Sequence, residues 1–362
     1  MFSLLRRTLV LCSVMLCGFR SEPTLEEKIK TLSDHYVNQN NNYGVAIGII
    51  DGDKVIRLCN SRTGCNETID SSTIFEIGSI SKLFTSLLLA EEVEGKSLQL
   101  QQPISSFLPS TAHPSFASIT FEQLASHSSG LPRLADNFWS RVNEPENPYR
   151  DYSEADLNNY ISQYSLKQAP GQHYAYSNFG AGLLGNIIVN MHHTSYEALI
   201  KEKICSPFGM KETFVKLDPK GKFSTPHAGG KPSRYWDFQD ATAGQGAIKS
   251  DLSDMTRFLQ YNLYPEQSPF PSALQLMQEI HFSDPSQNKH TGLGWHIGSF
   301  NGQKYLEHNG ATGGFRSYIG MIPGKKLGIV ILSNSDNSVD DLGIDILRLL
   351  DAQKITETVV KN

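Results

Sequence analysis

The two ends of the chain alternate apolar and polar residues in the manner of β-strands, whereas the middle shows helical spacing. Apolar runs at residues 43–50 and 55–58 flank Asp51-Gly52-Asp53, which predicts a hairpin. Further strand-like runs occur near the C-terminus, at residues 293–297, 304–308, 315–322 and 327–332. The pattern predicts an α+β fold, in which an antiparallel sheet flanked by helices is built from both termini around an inserted, mainly helical region.

Helical spacing covers the opening residues 25–36, the central residues from about 79 to 270 and the closing residues 342–350. No repeat, low-complexity tract or Gly/Ser linker divides the chain. This favours a helical region inserted into the sheet domain over two domains joined by a flexible linker. We expect one domain over residues 23–362, which consists of a sheet part (about 23–78 and 285–362) and a helical part (about 79–284). A cleft at their junction is the expected site.

The first residues follow a pattern that is typical of an export signal. Arg6-Arg7 precede the apolar residues 8–19, and the polar Arg20-Ser21-Glu22-Pro23 follow. The apolar stretch is shorter than the roughly 20 residues that span a bilayer, and no other segment resembles a transmembrane helix. We therefore expect residues 1–22 to be a signal peptide and the mature protein to be secreted or periplasmic, with lipid attachment at Cys17 as an open alternative.

The composition of the 362-residue chain narrows the class of partner. It is 39% hydrophobic, has a formal net charge of -5 and contains no long Lys/Arg run, so we expect no nucleic-acid partner. A small molecule or a peptide fits better as the substrate, and we expect a monomer. Cys59 and Cys65 flank a short polar loop, and they either form a disulfide or both stay reduced. Cys205 is left over and stays reduced in both cases. No Cys/His spacing indicates zinc.

Ser79 follows Gly78 at the predicted start of an apolar helix. Residues three apart on a helix share a face, so Lys82 can contact the Ser79 hydroxyl. A serine hydroxyl needs a base at neutral pH, and a partly desolvated lysine can supply that base. The same spacing occurs at Ser286 and Lys289 in a polar loop, so the place at a helix start distinguishes Ser79.

Tyr176 and Asn178 lie two residues apart, after Pro170-Gly171 and before an apolar helix over residues 183–189. In an extended or turning loop this spacing puts both side chains on one side. A phenol can then relay a proton while an amide orients the lysine or the substrate. The alternative is that Tyr176 packs in the core and Asn178 caps the following helix.

His308 and Gly310 lie at the end of a predicted strand, in a segment rich in glycine. Glycine lets a substrate approach the backbone closely and pair with it as an extra strand. A histidine there can assist electrostatically or hydrogen-bond to a carbonyl, although a lone histidine on a strand is more often structural. The same His-x-Gly triplet begins at His227 and at His290, so only the context selects His308.

In this order, Ser79-x-x-Lys82, Tyr176-x-Asn178 and His308-x-Gly310 resemble the motifs of the serine β-lactamase superfamily, in particular class C β-lactamases, DD-peptidases and penicillin-binding proteins. Framing segments agree, namely His127-Ser128-Ser129-Gly130-Leu131-Pro132, Pro170-Gly171, Gly292-Leu293-Gly294-Trp295 and Ser333-Asn334. The Gly-Leu-Gly-Trp segment precedes His308, which assigns the third motif there and not to His290. The resemblance covers about residues 43–350.

The resemblance implies that Ser79 is the nucleophile and that Lys82 and Tyr176 handle the proton. It also implies that Asn178 positions the lysine or the substrate and that the backbone N–H groups of Ser79 and Ala311 form an oxyanion hole. The implied reaction is acylation of the serine by a β-lactam or by a D-alanyl amide of a peptidoglycan peptide, followed by hydrolysis. The resemblance implies no metal and no cofactor.

One departure from the family pattern concerns the third motif. Most efficient β-lactamases of this kind carry lysine where this chain has His308, and histidine is largely neutral at pH 7. We hypothesise that Arg316 compensates by pointing into the cleft. An esterase of the same fold, acting on small acyl esters, and a non-catalytic penicillin-binding scaffold stay as alternatives. An α/β-hydrolase is disfavoured because the chain has no Gly-x-Ser-x-Gly segment.

Overall fold

The computed structural model describes residues 22–39, 42–63, 67–217 and 221–361, with side chains as far as residue 354. Nearly all of the predicted signal peptide, including Cys17, lies outside the described residues, and so does Cys65. The signal, the lipid attachment and the disulfide therefore stay predictions. Cys59 is half-buried and Cys205 is buried. Within the described ranges, no helix is both long enough and apolar enough to cross a membrane.

The strands are numbered along the described part of the chain. They are β1 Gly44–Asp51, β2 Lys54–Ser61, β3 Phe75–Glu76, β4 His227–Ala228, β5 Lys231–Pro232, β6 Lys249–Ser250, β7 Phe282–Asp284, β8 Lys289–Thr291, β9 His296–Phe300, β10 Gln303–Ala311, β11 Arg316–Ile322 and β12 Leu327–Ser333.

The α-helices are numbered in the same way. They are α1 Leu25–Asn38, α2 Ser81–Glu94, α3 Phe121–Ala125, α4 Glu154–Gln163, α5 Asn178–Met191, α6 Tyr196–Ile200, α7 Ser206–Phe208, α8 Asp240–Ala243, α9 Leu252–Leu263, α10 Pro271–Gln278 and α11 Asp340–Lys361. Short 3-10 turns lie at Gly78–Ile80, Ile104–Phe107, Pro114–Ser118, Trp139–Arg141, Pro265–Gln267 and Pro323–Lys325, and a π-helical turn at Lys201–Cys205.

The central sheet joins the two ends of the chain. Its strand order is β2-β1-β12-β11-β10-β9-β8-β7, and every neighbouring pair is antiparallel. The register between β1 and β12 runs from Val45 opposite Ser333 to Asp51 opposite Leu327. The helices α2 to α10 are inserted between β2 and β7 along the chain. The predicted fold is confirmed, while the exact subdomain limits stay a prediction.

Alternation along the buried strands divides the core into two layers. Val45, Ile47 and Ile49 of β1 pack in the cluster that contains α1 and α11 residues, whereas Ala46 and Ile50 belong to the larger cluster on the other face. This division follows from the two-residue period of a strand, which turns successive side chains to opposite faces. The cleft described below lies on the side of the larger cluster.

Two features of the sheet differ from the prediction, and the first concerns residues 293–297. The strand begins only at His296, because Gly294 has a φ of +78° and packs against α2. A Cβ atom at Gly294 would lie 2.8 Å from Ser86 Oγ, so this bend requires glycine. The edge hairpin of β7 and β8 was not predicted, since its strands are short and largely polar. Ser286 lies in the turn of that hairpin.

Candidate active site

Ser79 lies in the 3-10 turn Gly78–Ile80, which leads directly into α2. Lys82, in the first turn of α2, donates a hydrogen bond from Nζ to Ser79 Oγ over 3.0 Å and another to the Gln245 carbonyl over 2.7 Å. The helical spacing that suggested this contact is therefore realised. The Gln245 carbonyl directs Nζ toward the serine, and sequence reasoning did not find that contact.

The environment of Lys82 favours its neutral form. The side chain is 2% exposed, and burial is the main cause that holds the pKa of Lys82 well below its ordinary value. The positive charge of Arg133 lowers this pKa further. A lysine without its extra proton has a lone pair on Nζ, and it can therefore accept a proton from the hydroxyl that it contacts.

Tyr176 completes the cluster around the serine. Lys82 Nζ lies 5.0 Å from the centroid of the Tyr176 ring. Burial raises the pKa of Tyr176, and a hydrogen bond with Ser79 opposes that shift. The phenol therefore keeps its proton at neutral pH, which suits a group that passes a proton on and does not suit a permanent phenolate.

The loop that carries Tyr176 is held by the segment 127–133. Ala175 N donates to the His127 carbonyl over 2.8 Å, and Ser177 N donates to His127 Nδ1 over 3.2 Å. The Ser177 hydroxyl donates to the Pro132 carbonyl over 2.6 Å. These bonds explain why the His-Ser-Ser-Gly-Leu-Pro segment accompanies the tyrosine motif: it forms the support of the tyrosine loop.

Asn178 is the first residue of α5 and lines the cleft. The helix is capped by Ser177, whose Oγ accepts a hydrogen bond from Gly180 N over 2.8 Å, so Asn178 is not the cap. Its Oδ1 is buried and has no hydrogen-bond partner among the described residues. A buried oxygen at a cleft that accepts no hydrogen bond from the protein can accept one from a substrate N–H.

Two glycines bring the serine turn and β10 into direct contact. Gly78 has a φ of +51°, and a Cβ atom there would lie 2.6 Å from Ala311 N. A Cβ atom at Gly310 would lie 2.1 Å from the Ile77 carbonyl oxygen. Only glycine allows both approaches. Ser79 and Ala311 consequently line the same cleft.

His308 is placed differently from the expectation that it meets the substrate. It is 0% exposed, and its Nδ1 lies 2.7 Å from the Asn309 carbonyl. Its ring stacks on His296 with centroids 4.9 Å apart and lies 6.2 Å from Tyr176. Burial is the main cause that lowers the pKa of His308, so the ring is neutral. It lies on the same face of β10 as Gly310, so it faces the helical region and lies beneath the cleft next to His296. The Asn309 side chain leaves the other face of β10, where it donates to Asp340.

Arg316 does not reach the cleft. Its Nη1 donates to the carbonyls of Thr312 and Phe315 over 3.1 and 2.9 Å, and its electrostatic partners are Asp336, Tyr36 and Asp340. The next residue on β11, Ser317, donates instead to Ile77 on the cleft side of the sheet. The expected compensation by Arg316 is therefore not seen, because its side chain leaves the opposite face of β11.

The cleft itself has a volume of about 500 Å³ and two unlike walls. We call Arg133, Tyr149, Tyr176 and Asn178 the helical-side wall, and Asn309, Ala311 and Thr312 the sheet-side wall. Ser79 lies between them. No acidic residue is among the described residues that line this cleft.

Several residues that line the cleft were not predicted from the sequence, among them Arg133 and His296. Arg133 directly follows the segment that holds the tyrosine loop, and its Cζ lies 5.2 Å from the Tyr176 ring centroid. His296 directly follows the Gly-Leu-Gly-Trp segment, and its Nε2 lies 3.2 Å from the Tyr174 hydroxyl. Both residues directly follow a framing segment, and this was the signal that could have identified them. The sequence pattern did not show that their side chains point into the cleft.

Comparisons with known proteins agree with this geometry. Residues 28–354 match the model of the family described as Beta-lactamase. The chain is 27% identical over 349 residues to the D-alanyl-D-alanine-carboxypeptidase/endopeptidase AmpH of Escherichia coli (strain K12), covering 89% of each protein. It is 24% identical over 315 residues to a β-lactamase of the same organism, covering 75% of this chain and 78% of that protein.

A solved structure described as an octameric penicillin-binding protein homologue from Pyrococcus abyssi superposes with a TM-score of 0.78 at 25% identity, covering 90% of this chain and 77% of the other. The expectation of a monomer stays a prediction. A β-lactamase/D-alanine carboxypeptidase from Pseudomonas syringae shares the fold, with a TM-score of 0.78 at 20% identity over 90% and 98% of the two chains. With the family model covering most of its length, the chain belongs to the β-lactamase family and is an enzyme of the serine hydrolase class.

Proposed function

We propose that the chain forms an acyl-enzyme on Ser79 and hydrolyses β-lactam rings or D-alanyl peptide amides. The observation that carries this proposal is the 3.0 Å contact between Lys82 Nζ and Ser79 Oγ at the base of the cleft. A serine hydroxyl beside a lysine whose pKa is strongly lowered is an activated nucleophile. The names of the relatives, a β-lactamase and a D-alanyl-D-alanine carboxypeptidase, supply the substrate classes.

The proposed reaction divides the work among neighbouring groups. Ser79 Oγ attacks the carbonyl carbon as its proton passes to Lys82 Nζ. The oxyanion is stabilised by the N–H groups of Ser79 and Ala311, which the approach of Gly78 to Ala311 N supports. Tyr176 then donates its proton to the leaving nitrogen and is reprotonated from Lys82. Asn178 Oδ1 accepts a substrate N–H. In the last step the oxygen of a water attacks the acyl carbon, the bond from that carbon to Ser79 Oγ breaks, and Oγ regains a proton from the water through Lys82 and Tyr176.

The test of this proposal is covalent labelling by a fluorescent penicillin, with intact-mass analysis of the adduct. We expect Ser79→Ala to abolish labelling. Ser286→Ala is the matched control, because Ser286 has the same spacing to Lys289 but lies in a hairpin turn, where its hydroxyl donates to Asp284. Labelling that persists in Ser79→Ala would overturn the nucleophile assignment.

An esterase acting on small acyl esters is the second candidate, and one observation favours it. His308 is buried and neutral, so the sheet-side wall offers no cation to a substrate carboxylate. Nitrocefin and p-nitrophenyl acetate distinguish the two functions. Turnover of nitrocefin with a transient adduct indicates a β-lactamase, a long-lived adduct indicates a DD-peptidase, and turnover of the ester alone indicates an esterase.

We also propose that the protein is exported and acts in the periplasm or outside the cell. The support is the basic and apolar pattern of residues 1–22. Mass spectrometry of the N-terminus of the mature protein tests this, and we expect it near residue 23. Recovery of an N-terminus that still contains the apolar segment would contradict cleavage.

A further inference from the structure

Arg133 presents a positive charge to the cleft from the helical-side wall. Its side chain is exposed and lines the cleft, and its Cζ lies 5.2 Å from the Tyr176 ring centroid. The main chain at this point is fixed, because the Arg133 carbonyl accepts a hydrogen bond from Phe179 N over 3.1 Å. The residue therefore starts from a rigid position immediately above the proposed proton donor.

Arg133 is the one formally charged side chain among the described residues that line the cleft, and none of them is acidic. His296 also lines it, but burial lowers the pKa of His296 to about 4, so this ring is neutral at physiological pH. The sheet-side wall adds no charge, since His308 is buried and Arg316 faces away. Any anionic group in the cleft therefore finds its positive counterpart on Arg133.

The chemistry of the two substrate classes places an anion near this position. In a D-alanyl-D-alanine peptide, the terminal carboxylate is one carbon from the nitrogen that leaves. In a penicillin, the ring carboxylate is likewise one carbon from the lactam nitrogen. Tyr176 is the proposed proton donor to that nitrogen, and Arg133 lies over the Tyr176 ring. A guanidinium matches a carboxylate with two parallel hydrogen bonds.

We propose that Arg133 binds the carboxylate on the leaving-group side of the substrate and thereby selects anionic substrates. This inference rests on the proposed function for the identity of the leaving group. It assigns the recognition of the carboxylate to the helical-side wall, in a chain whose third motif lacks a lysine.

The test compares an acyl-D-Ala-D-Ala peptide that has a free C-terminal carboxylate with the same peptide as its C-terminal carboxamide. For Arg133→Gln we expect kcat/KM to fall about tenfold to a hundredfold on the carboxylate, the usual effect of losing a hydrogen bond to a charged group. At a pH above the acid limb of both enzymes, the carboxamide should be cleaved as by the wild type. Arg133→Lys should retain part of the preference for the carboxylate peptide, because lysine keeps the positive charge but cannot donate two parallel hydrogen bonds.

Arg141→Gln is the matched control. Arg141 lies in the same loop and its guanidinium is partly exposed, but it pairs with Asp156 at 2.7 Å and does not line the cleft. We expect this variant to behave like the wild type on both peptides. Equal losses on both peptides in Arg133→Gln, or no loss on the carboxylate, would overturn the proposal.

A binding measurement separates this inference from the proposed function. Calorimetric affinities of the two peptides are compared in Ser79→Ala, with and without Arg133→Gln. A carboxylate preference that disappears with Arg133 supports the inference even where the wild type forms no adduct, an outcome that would defeat only the Ser79 assignment. A preference that survives Arg133→Gln would defeat the inference while an adduct on Ser79 still stands.

Discussion

The helical-side wall of the cleft carries side chains that hold charge or protons, whereas the sheet-side wall contributes mainly backbone. On the first wall, Arg133 and Tyr176 face the cleft beside Lys82. On the second, Gly310 allows the main chain to approach Ile77, and the histidine of the third motif is turned inward. The comparison teaches that the side chains of the proposed chemistry come from the inserted region, while the sheet contributes closely packed main chain beside Ser79.

Removal of Lys82, the proposed base on the helical side of the cleft, should have the largest effect. We expect Lys82→Ala to slow acylation by about two to four powers of ten, the usual contribution of a positioned general base. Stopped-flow measurement with nitrocefin gives this rate, and circular dichroism checks that the variant folds. An unchanged acylation rate would contradict the role of Lys82. It would also contradict the difference that we propose between the helical-side wall and the sheet-side wall.

A methyl group at Gly310 tests the sheet-side wall. A Cβ atom there would lie 2.1 Å from the Ile77 carbonyl oxygen and 2.3 Å from Ser317 Oγ, so the strand must shift. We expect Gly310→Ala to lower the free energy of unfolding by about 1–3 kcal/mol, as overpacking of a core does. Urea denaturation measures this change, and acylation should slow because Ala311 N moves with the strand.

Gly298→Ala is the control for that substitution. At this position on the neighbouring strand β9, the nearest atom to a Cβ would be Tyr305 Cδ1 at 3.9 Å, which is ordinary contact. We expect stability and acylation to stay close to the wild type. If the two alanine variants were equally stable, close approach at Gly310 would not be required.

The pH dependence of acylation gives a smaller and more specific effect. Protonation of Lys82 removes the base, so the rate falls as pH drops through the pKa of Lys82, which burial and then Arg133 hold below its ordinary value. Loss of the Arg133 charge raises that pKa, and Arg133→Gln should move the acid limb to higher pH. The neighbouring imidazoles of His127 and His308 are neutral, because burial lowers the pKa of each.

A pH–rate profile on the carboxamide peptide isolates this effect, since that substrate does not use the proposed carboxylate contact. An acid limb at the same pH in the wild type and Arg133→Gln would show that Arg133 does not influence the base.

The smallest effect is expected at His296, which lies in the cleft without holding a charge. The pKa of His296 is lowered to about 4, chiefly by burial, so its titration lies below the working range. We expect His296→Gln to leave the acid limb of the pH–rate profile where it is. If the acid limb disappeared in this variant, the ionisation that causes it would be that of His296 and not that of Lys82.

Much of this arrangement could be predicted from the sequence, because its signals are local. The three-residue spacing from Ser79 to Lys82 is sufficient to bring them together on a helix start. The strands at both ends were predicted by alternation, and they form one sheet. Tyr176 was found by its place before an apolar helix.

What could not be predicted depends on the direction of single side chains. Alternation along β10 puts His308 on the buried face and Ala311 on the other, and the sequence alone does not determine which face is which. The same alternation on β11 turns the Arg316 side chain away from the cleft, so the prediction for Arg316 was wrong. Arg133 reaches the cleft because hydrogen bonds join residues 127–133 to the tyrosine loop, and such long-range pairing has no local pattern.

The pairing of β1 with β12 has a consequence for biosynthesis. Ser79 is synthesised early, but the strands β10 to β12, which complete the sheet and carry Ala311, are synthesised late. Contacts of such long sequence separation form only after most of the chain is available. A nascent or prematurely terminated polypeptide therefore has Ser79 and Lys82 without β10 to β12, and we expect such a fragment to form no adduct with substrate.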